Sequence, residues 1–265
     1  MRTGPIIAIA VAILAAFAVA QDGNGQQTPP PARPADLAQG AGGSGANSGP
    51  AATVEGSRSQ SVDQMAGTRM PEGSDPAASF ATDFISAARA QVGVTTIYDP
   101  RYVGLDFPGG DVPADRGVCT DVLIRALRDG ADIDLQLAIN RDMKSDLAAY
   151  PRIWGLSRTD ANIDHRRVPN LETLLRRLGA EVAPTTDPAD FLPGDIVTMM
   201  LPGNLPHILI VSDKRALDGA RHLVIHNIGR GTQEEDALFA YPHTGHFRLA
   251  GDALSELRRL GQLEY

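Results

Sequence analysis

The sequence predicts an α+β fold in which helices come first and pack on a small antiparallel sheet. Apolar residues recur with helical spacing early in the folded part, as in Phe80–Val92, where Phe84, Ile85, Ala88 and Val92 are expected to share one face. After Pro193-Gly194-Asp195, which reads as a turn, the apolar residues form short β-rich runs instead. Helices followed by neighbouring short strands are typical of α+β proteins.

The individual elements follow from the same patterns. The predicted helices are Phe80–Val92, Cys119 to about Gly130, Asp134–Ala149 and Asn170–Leu178. A loop rich in Pro and Gly, Tyr98–Arg116, precedes the helix that begins at the cysteine. The predicted strands are Ile196–Met200, His207–Val211, His222–Asn227 and Gly245–Leu249.

The sequence of the first 76 residues predicts a signal peptide for export followed by a linker. Arg2 precedes an apolar run, Ile6–Ala20, whose small-residue end is typical of a signal peptide cleaved after residue 20. Residues 21–76 are rich in Gly, Pro, Ser and Ala and poor in large apolar side chains, so we expect a disordered linker. Residues 77–265 then form one periplasmic or secreted domain, with no membrane span once the signal is removed.

Charge and histidine spacing narrow the classes of partner. The formal net charge of −8 argues against nucleic-acid binding, and we expect a monomer. Four histidines crowd the C-terminal part without a recognised metal-binding spacing: His222, His226, His243 and His246. We therefore expect no metal and no other cofactor.

Cys119 is the single cysteine in the sequence. Exported proteins usually pair their cysteines, so an unpaired thiol needs another role. The start of a helix favours a thiolate through the helix dipole and free amides, which predicts a nucleophile with a depressed pKa. An inert buried cysteine is the alternative. Asp121, in the same helical turn, is expected to cap the helix or form a structural pair, and would raise the thiol pKa if close.

A thiol nucleophile needs a base, and the base needs an orienting partner. His207 begins one predicted strand and His226 ends the next, so pairing of these strands brings both imidazoles to one edge of the sheet. We expect His207 to be the base, and His226 or, failing that, Asn227 to hold its tautomer. Alternation along a strand points His226 and Asn227 to opposite faces, so both cannot serve.

The order of these residues resembles that of NlpC-type cysteine peptidases, relatives of papain that cleave bacterial cell-wall peptides. In that superfamily a cysteine begins a helix, a Pro-Gly-Asp turn starts the sheet, and a histidine begins the next strand. Cys119, Pro193-Gly194-Asp195, His207 and His226 match those positions, whereas Val118-Cys119-Thr120-Asp121 replaces the usual Asp-Cys-Ser-Gly. The resemblance implies a papain-like fold and a thiol acting on amide bonds of peptidoglycan.

A closer resemblance covers nearly all of residues 80–249. It is to an exported bacterial family, domain-of-unknown-function family 1287. The matching stretches are Tyr98-Asp99-Pro100, Gly110-Asp111-Val112-Pro113, Gly117-Val118-Cys119-Thr120-Asp121-Val122, Asn162–Leu171 and His226-Asn227-Ile228-Gly229. The family's name implies no activity.

A short basic cluster, Asp164-His165-Arg166-Arg167, stands out in this acidic chain. Arginine presents a planar fork that suits a substrate carboxylate, such as those of cell-wall peptides. The alternative is a structural loop whose charges pair with Asp111, Asp115 or Asp160. Further candidates for the substrate side of a cleft lie in the loop before the cysteine helix: Tyr98, Asp99 and Asp111.

These observations favour an exported cysteine hydrolase that cleaves amide bonds, with envelope peptides or peptidoglycan as its partner and substrate. Two alternatives stay open. One is a non-catalytic envelope module that binds the cell wall, and the other is an acyl or amide transferase that uses the same thioester.

Overall fold

The structure is a computed structural model that describes residues 76–262. The predicted signal peptide and nearly all of the predicted linker lie outside the described residues, as do the last three residues of the chain. The first helix begins at Pro76, one residue before the predicted start of the domain.

Five α-helices and seven strands make up the described part of the chain. The helices are α1 (Pro76–Ala90), α2 (Cys119–Ala131), α3 (Leu135–Ser145), α4 (Val168–Arg177) and α5 (Gly251–Gly261). The strands are β1 (Ile97–Tyr98), β2 (Arg116–Gly117), β3 (Ile196–Leu201), β4 (Leu205–Arg215), β5 (His222–Asn227), β6 (Thr232–Glu235) and β7 (His243–Phe247). Short 3-10 turns occupy Leu147–Ala149, Asp164–Arg166 and Pro188–Asp190.

The main sheet has five antiparallel strands in the order β6-β5-β4-β3-β7. Its centre is a meander of β3, β4 and β5, so consecutive strands lie side by side. The predicted α+β class is therefore confirmed at this level. A separate parallel pair, β1 with β2, joins the two ends of the loop that precedes α2.

Alternation along the strands separates two apolar cores, one on each face of the sheet. Ile208, Ile210 and Ile225 belong to the core beneath the helices, which also contains Cys119. Leu209, Val211 and Val224 belong to a second core on the opposite face, closed by side chains such as Phe191 and Leu238. Because both faces of β4 are buried, a one-residue slip of this strand would exchange the two sets, so its register is strongly specified.

Four elements of the described part were not predicted: the two-residue strands β1 and β2, strand β6 and helix α5. The first helix ends at Ala90, so Val92 lies outside it and is 40% exposed, which makes its predicted place on the apolar face wrong. One further helix is shorter than predicted. Helix α5 follows the sheet and turns Leu254, Leu257 and Leu260 into the helix-side core. Strand β6 reads Thr-Gln-Glu-Glu and lacks the apolar alternation that marks a half-buried strand. The helix predicted over Asp134–Ala149 ends at Ser145, where the side chain of Asp146 accepts a hydrogen bond from Ala149 and starts a 3-10 turn.

Candidate active site

Cys119 is the first residue of α2, placed there by the residues on either side of it. The Asp121 carboxylate accepts a hydrogen bond from the Val118 amide at 2.7 Å, which satisfies a donor at the start of the helix. A Cβ atom on Gly117 would lie 2.9 Å from that carboxylate, so only glycine fits there without a shift. The Thr120 hydroxyl donates to the Arg166 carbonyl at 3.2 Å and ties the helix start to the basic loop.

The Cys119 thiol is buried, with 7% of the residue exposed. Burial raises the pKa of the thiol to about 11 because a thiolate would lose its hydration. The main-chain N–H of Ile208, which lies against the sulfur, lowers the thiol pKa but does not compensate, and the charge of Asp121 raises it further. The predicted depressed pKa is therefore wrong, since the helix start contributes less than desolvation does.

His207 and His226 contact each other directly, as the pairing of their strands predicts. His207 Nε2 lies 2.7 Å from His226 Nδ1, and both rings are buried. The two residues are diagonal neighbours on one face, since Ile210 pairs with Ile225 and Val211 with Val224. Burial lowers the pKa of His207 to about 3, with His226 adding to the effect, so the His207 imidazole is neutral at pH 7.

A carboxylate extends this pair. His226 Nε2 lies 3.1 Å from Oε1 of Glu235 on the neighbouring strand β6, and this hydrogen bond holds the pKa of Glu235 below its usual range. The other carboxylate oxygen accepts a hydrogen bond from Arg230. Sequence reasoning missed Glu235 because no strand was predicted around it. The sole signal was its position shortly after His226, across a Gly-Arg-Gly turn.

Cys119 and His207 are neighbours without a direct bond. The thiol touches the main chain of Ile208, the residue after His207, yet no hydrogen bond joins the sulfur to the imidazole within residues 76–262. Strand alternation explains the gap: Ile208 packs on the cysteine side of β4, whereas His207 follows Leu209 onto the other face. The Nδ1 atom of His207 has no partner among the described residues and, unlike Nδ1 of His165, is not cut off from solvent.

Asn227 contacts the cysteine segment and not the imidazole of His207. Its side-chain amide donates to the Gly117 carbonyl at 3.1 Å, and its oxygen accepts from the Gly229 amide at 3.2 Å. Adjacent residues of β5 thus serve opposite faces: His226 contacts His207, and Asn227 holds the main chain just before Cys119.

Both arginines of the basic cluster are engaged inside the fold. Arg166 forms a two-pronged ion pair with Asp121, with both nitrogen–oxygen distances at 2.9 Å and both side chains buried. Arg167 pairs with Asp164 at 3.1 Å and lies 4.1 Å from the centre of the Trp154 ring. The cluster therefore takes structural partners, although these are Asp121 and Asp164 and not the three aspartates anticipated.

The remaining substrate-side candidates differ in their access to a ligand. Asp99 pairs with Arg101 and Arg116, and Asp111 pairs with Arg125 and Arg128. His165 is buried, which lowers its pKa to about 3. Tyr98 is 36% exposed, and partial burial together with the charges of Cys119 and Asp121 raises its pKa to about 12. Tyr98 is thus the accessible candidate beside the thiol.

The part of the chain that the structure describes contains no cluster of three or more His, Cys, Asp or Glu side chains arranged to hold a metal ion. Across residues 76–262, no helix combines the length and the apolar character needed to cross a bilayer.

Alkylation of Cys119 should report its raised pKa. We expect iodoacetamide to react with the native protein at pH 7.5 about 10²-fold more slowly than with the urea-unfolded chain, whose thiol has an ordinary pKa of about 8.5. Because folding disfavours the thiolate, the native rate should rise about tenfold per pH unit towards pH 11. Mass spectrometry of the labelled protein measures both rates. A native rate that levels off below pH 9 would contradict the raised pKa.

The fold and the site define a class: an α+β protein with a buried thiol at a helix start and a histidine pair on the adjacent strands. Residues 85–249 match the family model described as Domain of unknown function (DUF1287), and the chain belongs to that family. It is similar to the Uncharacterized protein YijF of Escherichia coli (strain K12), with 53% identity over 161 residues, which is 61% of this chain and 78% of YijF. No solved structure matches the chain.

Proposed function

We propose that this protein is an exported, thiol-dependent hydrolase of amide bonds in cell-wall peptides, with an NlpC-like, papain-like arrangement. One observation carries the proposal. His207 bonds to His226 through Nε2, keeps Nδ1 free, and directly precedes the residue whose main chain lies against the Cys119 sulfur. A neutral imidazole with a free nitrogen, one residue along the strand from the main chain that lies against a thiol, supplies the groups that acyl transfer to sulfur requires once the two side chains approach. The residue order shared with NlpC-type peptidases supports the substrate class.

The reaction begins from neutral groups. Burial raises the pKa of Cys119 to about 11 and lowers that of His207 to about 3, so a thiolate–imidazolium pair is disfavoured at rest. The thiol proton therefore moves to His207 Nδ1 as the sulfur attacks the carbonyl carbon. The imidazolium returns this proton to the amide nitrogen when the C–N bond breaks. Water, deprotonated by the same nitrogen, then hydrolyses the thioester and restores the thiol.

The start of α2 supplies the electrostatic part of this mechanism. The Cys119 amide belongs to the first turn of the helix, where N–H groups lack carbonyl partners within the helix. Such donors stabilise the negative oxygen that forms when sulfur adds to a carbonyl. Tyr98 borders the same region and is exposed enough to contact a bound peptide. The reaction needs no cofactor.

A second candidate, a non-catalytic module that binds the cell wall, is favoured by a different observation. The thiol is buried and forms no hydrogen bond with His207 among the described residues, so these groups must approach each other before reaction. Catalytic hydrogen bonds are often long in ligand-free enzymes and tighten when substrate binds. Product formation is the property that separates the two candidates.

Digestion of purified sacculi tests the proposal. Wild-type protein should release new peptide fragments, with a free carboxylate on one side of the cut amide and a free amine on the other, whereas Cys119→Ser should release none. Mass spectrometry of the soluble fraction identifies the bond, and co-sedimentation with sacculi measures binding by both proteins. Equal binding without product from the wild-type protein would overturn the hydrolase and favour the binding module.

A further inference from the structure

Glu235 lies at the end of a chain of hydrogen bonds that leads to His207. The first link joins Glu235 Oε1 to His226 Nε2 at 3.1 Å, and the second joins His226 Nδ1 to His207 Nε2 at 2.7 Å. Glu235 and Val224 are paired residues on β6 and β5, which places the carboxylate on the same sheet face as His226. Its neighbour Glu234 faces the helices instead and bonds to Arg89, Ser212 and Lys214.

The identities of donor and acceptor along this chain follow from the carboxylate. An ionised carboxylate only accepts hydrogen bonds, so His226 Nε2 must carry a proton and donate it. The other nitrogen of a neutral imidazole is then an acceptor, which requires His207 Nε2 to be the donor of the second bond. A neutral His207 protonated on Nε2 has an unprotonated Nδ1, which is the nitrogen that can take a proton.

We infer that Glu235 is a positioning residue that fixes the tautomers of both histidines and keeps His207 Nδ1 unprotonated. The inference rests on the proposed function, since Nδ1 matters there as the base for Cys119. Glu235 contacts His226 and Arg230 and acts through His226. Without the carboxylate, either ring could donate the hydrogen bond between His207 Nε2 and His226 Nδ1, because each nitrogen of a neutral imidazole can be a donor or an acceptor.

Arg230 makes the substitution Glu235→Gln informative. The arginine only donates, and it binds the second carboxylate oxygen of Glu235. In Glu235→Gln the guanidinium should hold the amide oxygen and turn the amide NH₂ towards His226. His226 Nε2 would then accept and Nδ1 would donate, which places the proton of His207 on Nδ1. An isosteric change would thereby remove the base.

Nitrogen NMR of ¹⁵N-histidine-labelled full-length protein at pH 8 reads these tautomers without any substrate. Wild-type protein should show His207 protonated at Nε2, and Glu235→Gln should show it protonated at Nδ1. Glu234→Gln is the matched control, one residue along the same strand, and should keep the wild-type pattern. The double variant Arg230→Ala/Glu235→Gln should regain that pattern in part, because the freed amide can turn its oxygen to His226.

The NMR result and the activity result can fail separately. Wild-type His207 protonated at Nδ1, or an unchanged pattern in Glu235→Gln, would overturn the inference whether or not the protein is an enzyme. If sacculi are cleaved, Glu235→Gln should lower kcat by about 10² to 10⁴-fold with little change in KM, the range seen when a catalytic histidine is held in the wrong tautomer. Unaltered kcat in that variant would also overturn it.

Discussion

His207→Ala is expected to abolish turnover of sacculi as completely as Cys119→Ala does. Each change should lower kcat by about 10³-fold or more, because the proposed mechanism passes the thiol proton to His207 Nδ1. The pair acts as one unit, so the double variant should be hardly worse than either single one. Initial rates of fragment release, measured by mass spectrometry at saturating sacculi, provide the comparison.

The neighbouring histidines serve as graded controls for this result. His226→Ala should reduce kcat less than His207→Ala, and His226→Asn should retain part of the activity, since an amide can also orient the ring. His222→Gln, on the same strand but outside the hydrogen-bonded chain, should keep wild-type kcat. Full activity in His207→Ala would remove His207 as the base and with it the proposed mechanism.

Asp121→Leu is expected to cause the largest loss of stability. The substitution leaves the Arg166 guanidinium buried without its partner and removes the acceptor for the Val118 amide. Breaking a buried ion pair from one side typically lowers the free energy of unfolding by about 3 to 5 kcal/mol. Urea denaturation at pH 7, followed by circular dichroism, measures the change. Asp115→Leu, which breaks the exposed pair with Arg116, should cost much less.

A double variant separates the two contributions of Asp121 to stability: its ion pair with Arg166 and its hydrogen bond from the Val118 amide. Asp121→Asn/Arg166→Met removes both charges and keeps an acceptor for Val118, so it should be more stable than Arg166→Met alone. In Arg166→Met the carboxylate remains buried with no guanidinium beside it. The free energy of unfolding lost in the double variant should be smaller than the sum of the losses in Asp121→Asn and Arg166→Met. If it equals that sum, the charges of the ion pair contribute nothing to stability.

Much of the fold could be predicted because its signals are local. The start of α2 at Cys119 follows from the change from Gly and Pro to amphipathic spacing, and β5 follows from an apolar run bounded by polar residues. Strand β6 could not be predicted, because its four residues are polar and it exists by pairing with β5. Pairing of that kind is a tertiary contact and leaves no pattern within the strand itself.

The contact between the two histidines could be predicted from the sequence, but the electrostatics around the thiol could not. The spacing of His207 and His226 placed them together, as the structure does. The direction of the thiol pKa was missed because it depends on burial by the strands, whereas the sequence displays only the helix start. The partner of Arg166 was missed for a similar reason. Asp121 is 45 residues away, so only the folded chain brings the two charges together.

The pairing of β4 with β5 determines where the chain can accept insertions and deletions. His226 and Asn227 are consecutive, and their roles depend on which face of the sheet each one meets. Deleting one residue within β5 before His226 would move the Asn227 amide to the face of His207 and the His226 imidazole to the face of Gly117. Neither side chain would then keep its present contact. The turn between the strands, where Leu217 is fully exposed, carries no such constraint. Insertions and deletions are therefore tolerable in the turn and disruptive in the strand, although the two segments are only a few residues apart.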